Sequence, residues 1–436
     1  MIDYIQKEKK LFLTLLFWML VGIFSATAAM VIIPIHIFLH RKKESYLLLL
    51  LGLWFLFILS DSRQYIFHFA QSVKPLAMVV TAFLIWEERN YWPKHNFYIP
   101  FTLFFIITLF CLQFSPIKFK SLQKMLSYFL LLYIVPHIVQ QALYLNKVRF
   151  LKGIIATGAL ILIIGLALKY ISPSLVMFKG GRYNGLLGNP NGLGIFAFCF
   201  FMMYLLIYKY HKHYFFKSEH LIILSIIGLS LILAGSRGGI FSSSLFLIGY
   251  FLFERSITLG FIVLSSTFIS YQLVTTNLIE IIDFLGLQEY FRLNSLEEGS
   301  GRLVAFEFAW KQIQNNYWIG KGFGYTDYLM YQYKDYFLGK GHQGNVHNSY
   351  LTIWLNSGLL GLLAFLWGWL KNFYIVSLKS PLVWAVLFGV ILSTTVESWL
   401  AASMNPFTIQ LVIILSLLGN PLFYKQEEKE ELGLRI

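Results

Sequence analysis

Apolar runs of membrane-spanning length follow one another along the 436-residue chain, separated for most of its length by short loops. A backbone inside a bilayer has no water to bond to, so such runs fold as helices that satisfy their own N–H and C=O groups. Charged residues make up only 13% of the chain, against about 25% in soluble domains. The fold class that follows is an all-α polytopic membrane protein, built as one helical bundle over residues 1–436.

The first apolar run, 11–39, is longer than one span needs. It is either one tilted helix or a tight pair of short ones. Basic clusters flank it, Lys7, Lys9 and Lys10 before and Arg41-Lys42-Lys43 after. A pair is favoured because it keeps both clusters on the inner side. The first helix is expected to stay as an anchor, since no small-residue cleavage site follows it. Further spans fit at 46–60, 66–86, 97–114, 125–145, 153–170, 192–208, 219–235, 240–254, 257–275, 350–370, 381–399 and 407–421, giving 12 to 14 helices. The basic loops 87–96, 146–152 and the KYHKHYFFK stretch alternate to the inside. The loops bearing Gly, Asn and Arg alternate to the outside, including one long loop, 276–346, with short helices of its own. Residues 115–124 conflict with this rule, because an external loop there carries Lys118, Lys120 and Lys124. These lysines are expected to snorkel along an interfacial segment.

The net charge of +14 would suggest nucleic acid in a soluble protein. Here much of it lies in short loops that set orientation, and no nucleic-acid partner is expected. Cys111 and Cys199 fall in apolar runs and are expected to be inert packing residues. No acidic dyad, HExxH or CxxC is visible, so neither a metal nor another cofactor is expected.

The stretch richest in chemistry is Gly341–Gly361, GHQGNVHNSYLTIWLNSGLLG, which sets the imidazole of His347 at the mouth of a span. Three arginines share its predicted external face. Arg182 lies in GGRYNGLLGNPNGLG, whose Gly180, Gly181 and Gly185 permit tight turns and whose Asn189-Pro190-Asn191 would cap the next helix. Arg237 follows Ser236 at a helix end. Arg302 follows Ser300, a candidate N-cap. It would open a helix with apolar residues at 303, 306, 310 and 313, in the first turn, where the dipole favours an anion. Three guanidiniums in one region need an anion, and bidentate phosphate binding suits Arg. The anion that fits a membrane enzyme of this kind is the diphosphate of a polyprenyl-linked sugar. His347 is the candidate general base on a hydroxyl. Glu397 is an intramembrane carboxylate, and its expected partners are the neighbouring Thr or Trp. The GKGFG run at 320–324 lacks the ending of a P-loop and is expected to be a flexible turn.

In order, GRYNGLLGNPNGLG, SRGG, SGRLVAFEFAWKQIQNNYWIGKGFG and VHNSYLTIWLNSGLLG resemble the O-antigen ligase/polymerase superfamily of bacterial envelope glycan enzymes, over roughly 180–361. The resemblance implies a GT-C-like helical fold in the bacterial inner (cytoplasmic) membrane, with the active site facing the periplasm. It implies a glycosyltransferase, metal-independent and inverting, that takes a glycan from undecaprenyl diphosphate. Ligases pass it to lipid A core, and polymerases to a second lipid-linked repeat. By carry-over, Arg182 and Arg302 hold the diphosphate. His347, in the HN-x-x-L match with Asn348 and Leu351, activates the acceptor hydroxyl. The shared motifs serve ligase and polymerase alike; the ligase is favoured here. A flippase for the same lipid-linked glycan is the competing class, although the sequence lacks the repeat symmetry expected of one.

Overall fold

The computed structural model describes residues 1–39, 46–87, 95–178, 181–276, 302–340 and 345–425. Among these residues the fold is all helical, apart from one isolated bridge between Met177 and Tyr183. In chain order the helices are α1 (Ile2–Lys7), α2 (Lys9–Phe24), α3 (Ala26–Leu39), α4 (Tyr46–Asp61), α5 (Phe69–Glu87), α6 (Thr102–Cys111), α7 (Lys118–Ile171), α8 (Pro190–His211), α9 (Lys217–Ala234), α10 (Arg237–Arg255) and α11 (Ile257–Thr276). They continue as α12 (Arg302–Gln314), α13 (Tyr325–Gln332), α14 (Lys334–Gly339), α15 (Ser349–Ser377), α16 (Val383–Val396), α17 (Pro406–Leu418) and α18 (Pro421–Tyr424). Five described helical segments are long and apolar enough to cross a membrane, and six shorter apolar helices accompany them. This is a multi-pass membrane protein.

The run 11–39 forms two helices. Ser25 is extended (φ −155°, ψ 112°) between them. Trp18 Nε1 donates to His36 Nδ1 at 3.1 Å, whereas residues 18 apart in one straight helix lie about 27 Å apart. The pair is therefore a hairpin. Its outer flank, including Leu13, Phe17, Leu20, Val31 and Ile35, is exposed apolar surface suited to lipid. The 54-residue α7 is likewise two helices, meeting at the non-helical Asn146 (φ −160°, ψ 88°). Asn146 Oδ1 accepts from Arg149 N, capping the second half.

Polar contacts tie the loops predicted to be internal to one another. Arg149 makes a bidentate pair with Glu8 at 2.7 and 2.8 Å. The N-terminal ammonium meets Glu219, Lys209 meets Glu254, and Lys147 donates to the carbonyl of Lys425. Contacts among the predicted external segments form a separate set. Gln64 donates to the carbonyls of Ser174 and Leu175, and Asp61 accepts from Gly188 N at 3.0 Å.

Part of the long polar segment builds a small cap. Ala305, Ala309, Ile313, Tyr325, Leu329, Met330 and Phe337 form a second apolar cluster with Val346 and Leu355. On α12 the buried stripe runs through the small residues Ala305 and Ala309 to Ile313, not through Phe306 and Trp310. Trp310 is 42% exposed, with its ring edge against Trp354. Alanines allow α12 a close approach to α15 that Phe306 and Trp310 would prevent.

The cap is locked to α15 at a break in that helix. Gly358 has φ +72°. Beyond it, Leu359 N donates to Tyr317 O at 2.8 Å, and Gly322 N to Asn356 O at 2.9 Å. A Cβ on Gly320 would lie 2.4 Å from the Asn356 backbone, and one on Gly358 2.3 Å from Trp318 O. The GKGFG run is thus a docked backbone segment, in place of the expected flexible turn. Gly320 is required for backbone-to-backbone contact, and Gly322 and Gly324 take positive φ, +99° and +100°.

Candidate active site

Three segments distant in sequence converge on Glu397. The residue caps the C-terminus of α16 in an extended conformation (φ −145°, ψ 152°). Its carboxylate accepts from Arg302 Nη2 at 2.7 Å and Asn191 Nδ2 at 2.9 Å through Oε1, and pairs with His347 Nδ1 at 2.9 Å through Oε2. The Glu397 side chain is 13% exposed, His347 24% and Arg302 29%. The group is sheltered and still open to a ligand.

Each partner is set by its local sequence. His347 has φ +50° and is the one non-glycine with positive φ among the described residues. Such a conformation is costly for a residue with a Cβ and recurs at functional sites. The next residue explains it. Asn348 is the N-cap of α15, accepting from Leu351 N at 2.9 Å. Its Nδ2 donates to Thr395 O at 3.1 Å. Ser349 Oγ donates to Glu397 O at 2.9 Å. The HN-x-x-L spacing is therefore a capping motif that swings His347 over the end of α16.

Arg302 occupies the first residue of α12; Ser300, its expected N-cap, lies outside the described residues, as do Gly180, most of 276–301 and His342. Asn189 caps α8 by accepting from Gly192 N at 2.9 Å, which places Asn191 in the first turn, against Glu397. Arg182 sits on a short ladder in which Phe178 N donates to Arg182 O and Asn184 N to Val176 O. Its guanidinium donates to the carbonyls of Ala234 and Gly235 at 2.9 and 3.1 Å, with Asn191 Oδ1 at 3.5 Å. Arg237 is the first residue of α10, two positions beyond that carbonyl pair. It is exposed, with no hydrogen bond or ion pair among the described residues. Glu397 thus joins Arg302 and His347 directly, Asn191 links them to Arg182, and Arg237 stands beside the group.

The carboxylate was visible in the sequence, but Thr or Trp neighbours were its expected partners. Its actual partners lie 50, 95 and 206 residues away. Asn191 was legible only as a cap. Of the lysines of 115–124, Lys118 and Lys120 are exposed, and Lys124 pairs with Asp327 of α13. Among the described residues, no three His, Cys, Asp or Glu side chains come together in a way that would hold a metal.

With Nδ1–H directed at Glu397, the His347 ring carries its basic lone pair on Nε2. The carboxylate fixes the tautomer and stabilises the imidazolium formed when Nε2 takes a proton. Arg302 shares the carboxylate with this ring, and Arg182 is reached through Asn191. These features define a polytopic membrane protein with a carboxylate-anchored histidine in a cationic site. Residues 221–366 match a family model described as O-Antigen ligase. Over that stretch, about a third of its length, the chain is similar to the O-antigen ligase family. The stretch contains Arg237, Arg302 and His347, while Arg182, Asn191 and Glu397 lie outside it. No curated protein matches the chain.

Proposed function

We propose that this protein transfers a glycan from undecaprenyl diphosphate to a hydroxyl of an acceptor, in the manner of an O-antigen ligase with lipid A core as acceptor. The family similarity supports an O-antigen ligase/polymerase-type function and a membrane glycosyltransferase-like enzyme. The observation that carries the finer reading is the Glu397–His347 pair set against Arg302.

In the proposed reaction, His347 Nε2 removes the proton of the acceptor hydroxyl. The oxygen attacks the anomeric carbon as the bond to the diphosphate oxygen breaks, and the electron pair leaves with the diphosphate. One displacement inverts the anomeric centre. Three guanidiniums and one carboxylate leave the site with a balance of two positive charges. That matches the two negative charges of a diphosphate diester and meets the charge that develops on departure. Arg182, Arg237 and Arg302 are the proposed diphosphate ligands, with no metal assigned. The site is proposed to face the periplasm from the bacterial inner membrane, with the prenyl chain lying among the spans.

The test uses purified protein in nanodiscs, an undecaprenyl-diphosphate glycan, and lipid A core added or withheld. Conjugation only with lipid A core, lost in His347→Ala, supports the ligase. A ladder from the donor alone makes the protein a polymerase. Donor crossing a vesicle membrane with no new glycosidic bond overturns the transferase reading in favour of a flippase.

A further inference from the structure

A cavity of about 670 Å³ adjoins the histidine's loop at Asn345, within the range of small-ligand sites. Four cationic side chains line it, Arg63, Lys74, Lys124 and Lys334, with Asp327 as the one acidic lining residue. Arg182, Arg237 and Arg302 are not among its walls. Asn345 and Ser398 are, and they border the catalytic pair directly. Asn345 Oδ1 accepts from Ser398 Oγ at 3.1 Å and from His347 N at 3.4 Å, and Ser398 follows Glu397 in sequence.

Lys74 is the most informative member. It projects from α5, one of the membrane-spanning helices. A lysine there is costly unless it faces a polar interior and serves a ligand. Its Nζ donates to Ser60 Oγ and Met404 O, both at 3.0 Å. Both acceptors are neutral; the nearby carboxylate of Asp61, which accepts from Gly188 N, offsets part of the ammonium's charge. Lys124 comes from α7 and pairs with Asp327, while Arg63 lies 5.0 Å from the Phe178 ring centroid. The cations come from separate elements, and only one carboxylate joins them on the cavity wall.

We infer that this cavity is a second anion site, which binds a phosphate-bearing saccharide and presents its hydroxyl to His347 from the side opposite the diphosphate arginines. The acceptor role rests on the proposed transferase function; the anion site itself does not. A site for each substrate, with the base between them, leaves an acceptor hydroxyl and a donor anomeric carbon facing one another. The phosphate has two possible sources, a phosphorylated core saccharide or the diphosphate of a second lipid-linked glycan.

The experiment is calorimetric titration of the full-length protein in nanodiscs with a disaccharide monophosphate, its dephosphorylated counterpart and a disaccharide diphosphate. The phosphorylated sugars bind and the neutral one does not. Lys124→Gln and Lys334→Gln each weaken binding about tenfold, as expected for loss of one charge-assisted contact. Asp327→Asn strengthens it, and Arg302→Gln leaves it within about twofold. Preference for the monophosphate points to a core saccharide, and preference for the diphosphate to a lipid-linked acceptor. Unchanged binding in both lysine variants overturns the inference, as does a loss confined to Arg182→Gln and Arg302→Gln. Lysine-dependent binding in a protein that transfers no glycan upholds the anion site and refutes the transferase reading instead. Lys124 and Lys334 serve here because Lys74, held inside the bundle, is the substitution most able to disturb folding.

Discussion

Replacing Glu397 by Gln keeps the side chain's size and removes its charge. The geometry determines how the amide would sit. Two donors, Arg302 Nη2 and Asn191 Nδ2, converge on Oε1. The amide oxygen must take that side, since an NH₂ there would face two N–H groups. The NH₂ is then aimed at His347 Nδ1, 2.9 Å away in the native pair. A donor at that position makes Nδ1 the acceptor and moves the ring proton to Nε2, the nitrogen that must be basic in the proposed reaction. General-base catalysis contributes about 10²–10⁴-fold, and a wrong tautomer at a comparable pair costs a similar amount. The expected result is a fall in kcat of at least about 100-fold. KM for the lipid-linked donor should stay the same or fall, because Arg302 is released from its internal partner. The assay is initial-rate transfer in nanodiscs across a donor series, with size-exclusion profiles confirming a folded protein. A kcat within about threefold of wild type would refute the tautomer argument. A rise in donor KM with unchanged kcat would show that Glu397 acts on binding alone.

Three further outcomes are expected. Gly358→Ala should lower the unfolding midpoint, because its Cβ would lie 2.3 Å from Trp318 O at φ +72°; this extended, positive-φ backbone, essentially confined to glycine, alone costs roughly 1–3 kcal/mol. Gly228→Ala, with nothing within 4 Å, is the neutral control, and equal midpoints for the two would refute the docking account of the α15 break. His95 makes stability depend on pH: burial, then the nearby His137 and Lys379, lower its pKa from 6.5 to about 4. The unfolded chain takes up the proton first, so this contribution is complete above about pH 6.5 and lost as pH falls toward 4; His95→Gln should flatten thermal denaturation curves across that window. Cysteines placed at Arg237 and Ser256, at opposite ends of α10, should react with an impermeant maleimide from opposite sides of the membrane, the first from the periplasm. Buried Cys111 and Cys199 give little background, and the reverse labelling pattern would invert the proposed orientation.

Local sequence signals carried the helices and the ring of chemistry-bearing residues, but not the contacts between them. Hydropathy located the spans because each apolar run reports its own environment. The flanking basic clusters pointed to a hairpin at 11–39, which the Trp18–His36 contact bears out. The break at Gly358 was invisible because its cause is another segment, 317–322, docking into the helix. Arg182, Arg302 and His347 stood out by residue type and position. Glu397 stood out too, but no local signal assigns a carboxylate to a histidine 50 residues earlier and an arginine 95 residues earlier. Lys74 and Lys124 were hidden for the same reason: the groups they meet, Met404 and Asp327, are 330 and 203 positions away. A positive charge on the wrong side of the topology was the one hint. Lys124, one such charge, lines the wall of the cavity.

Glu397 also acts as a competitor that never diffuses away. Held 2.7 Å from Arg302, it presents a carboxylate at the high local concentration of a tethered ligand. Chloride or a monovalent phosphate ester brings one charge to displace another and gains little. A diphosphate brings two, enough to take Arg302 and still answer Arg182. On the proposed function, the resting protein would be screened from the abundant small anions around it, and the arginines would respond to valence before they respond to the sugar.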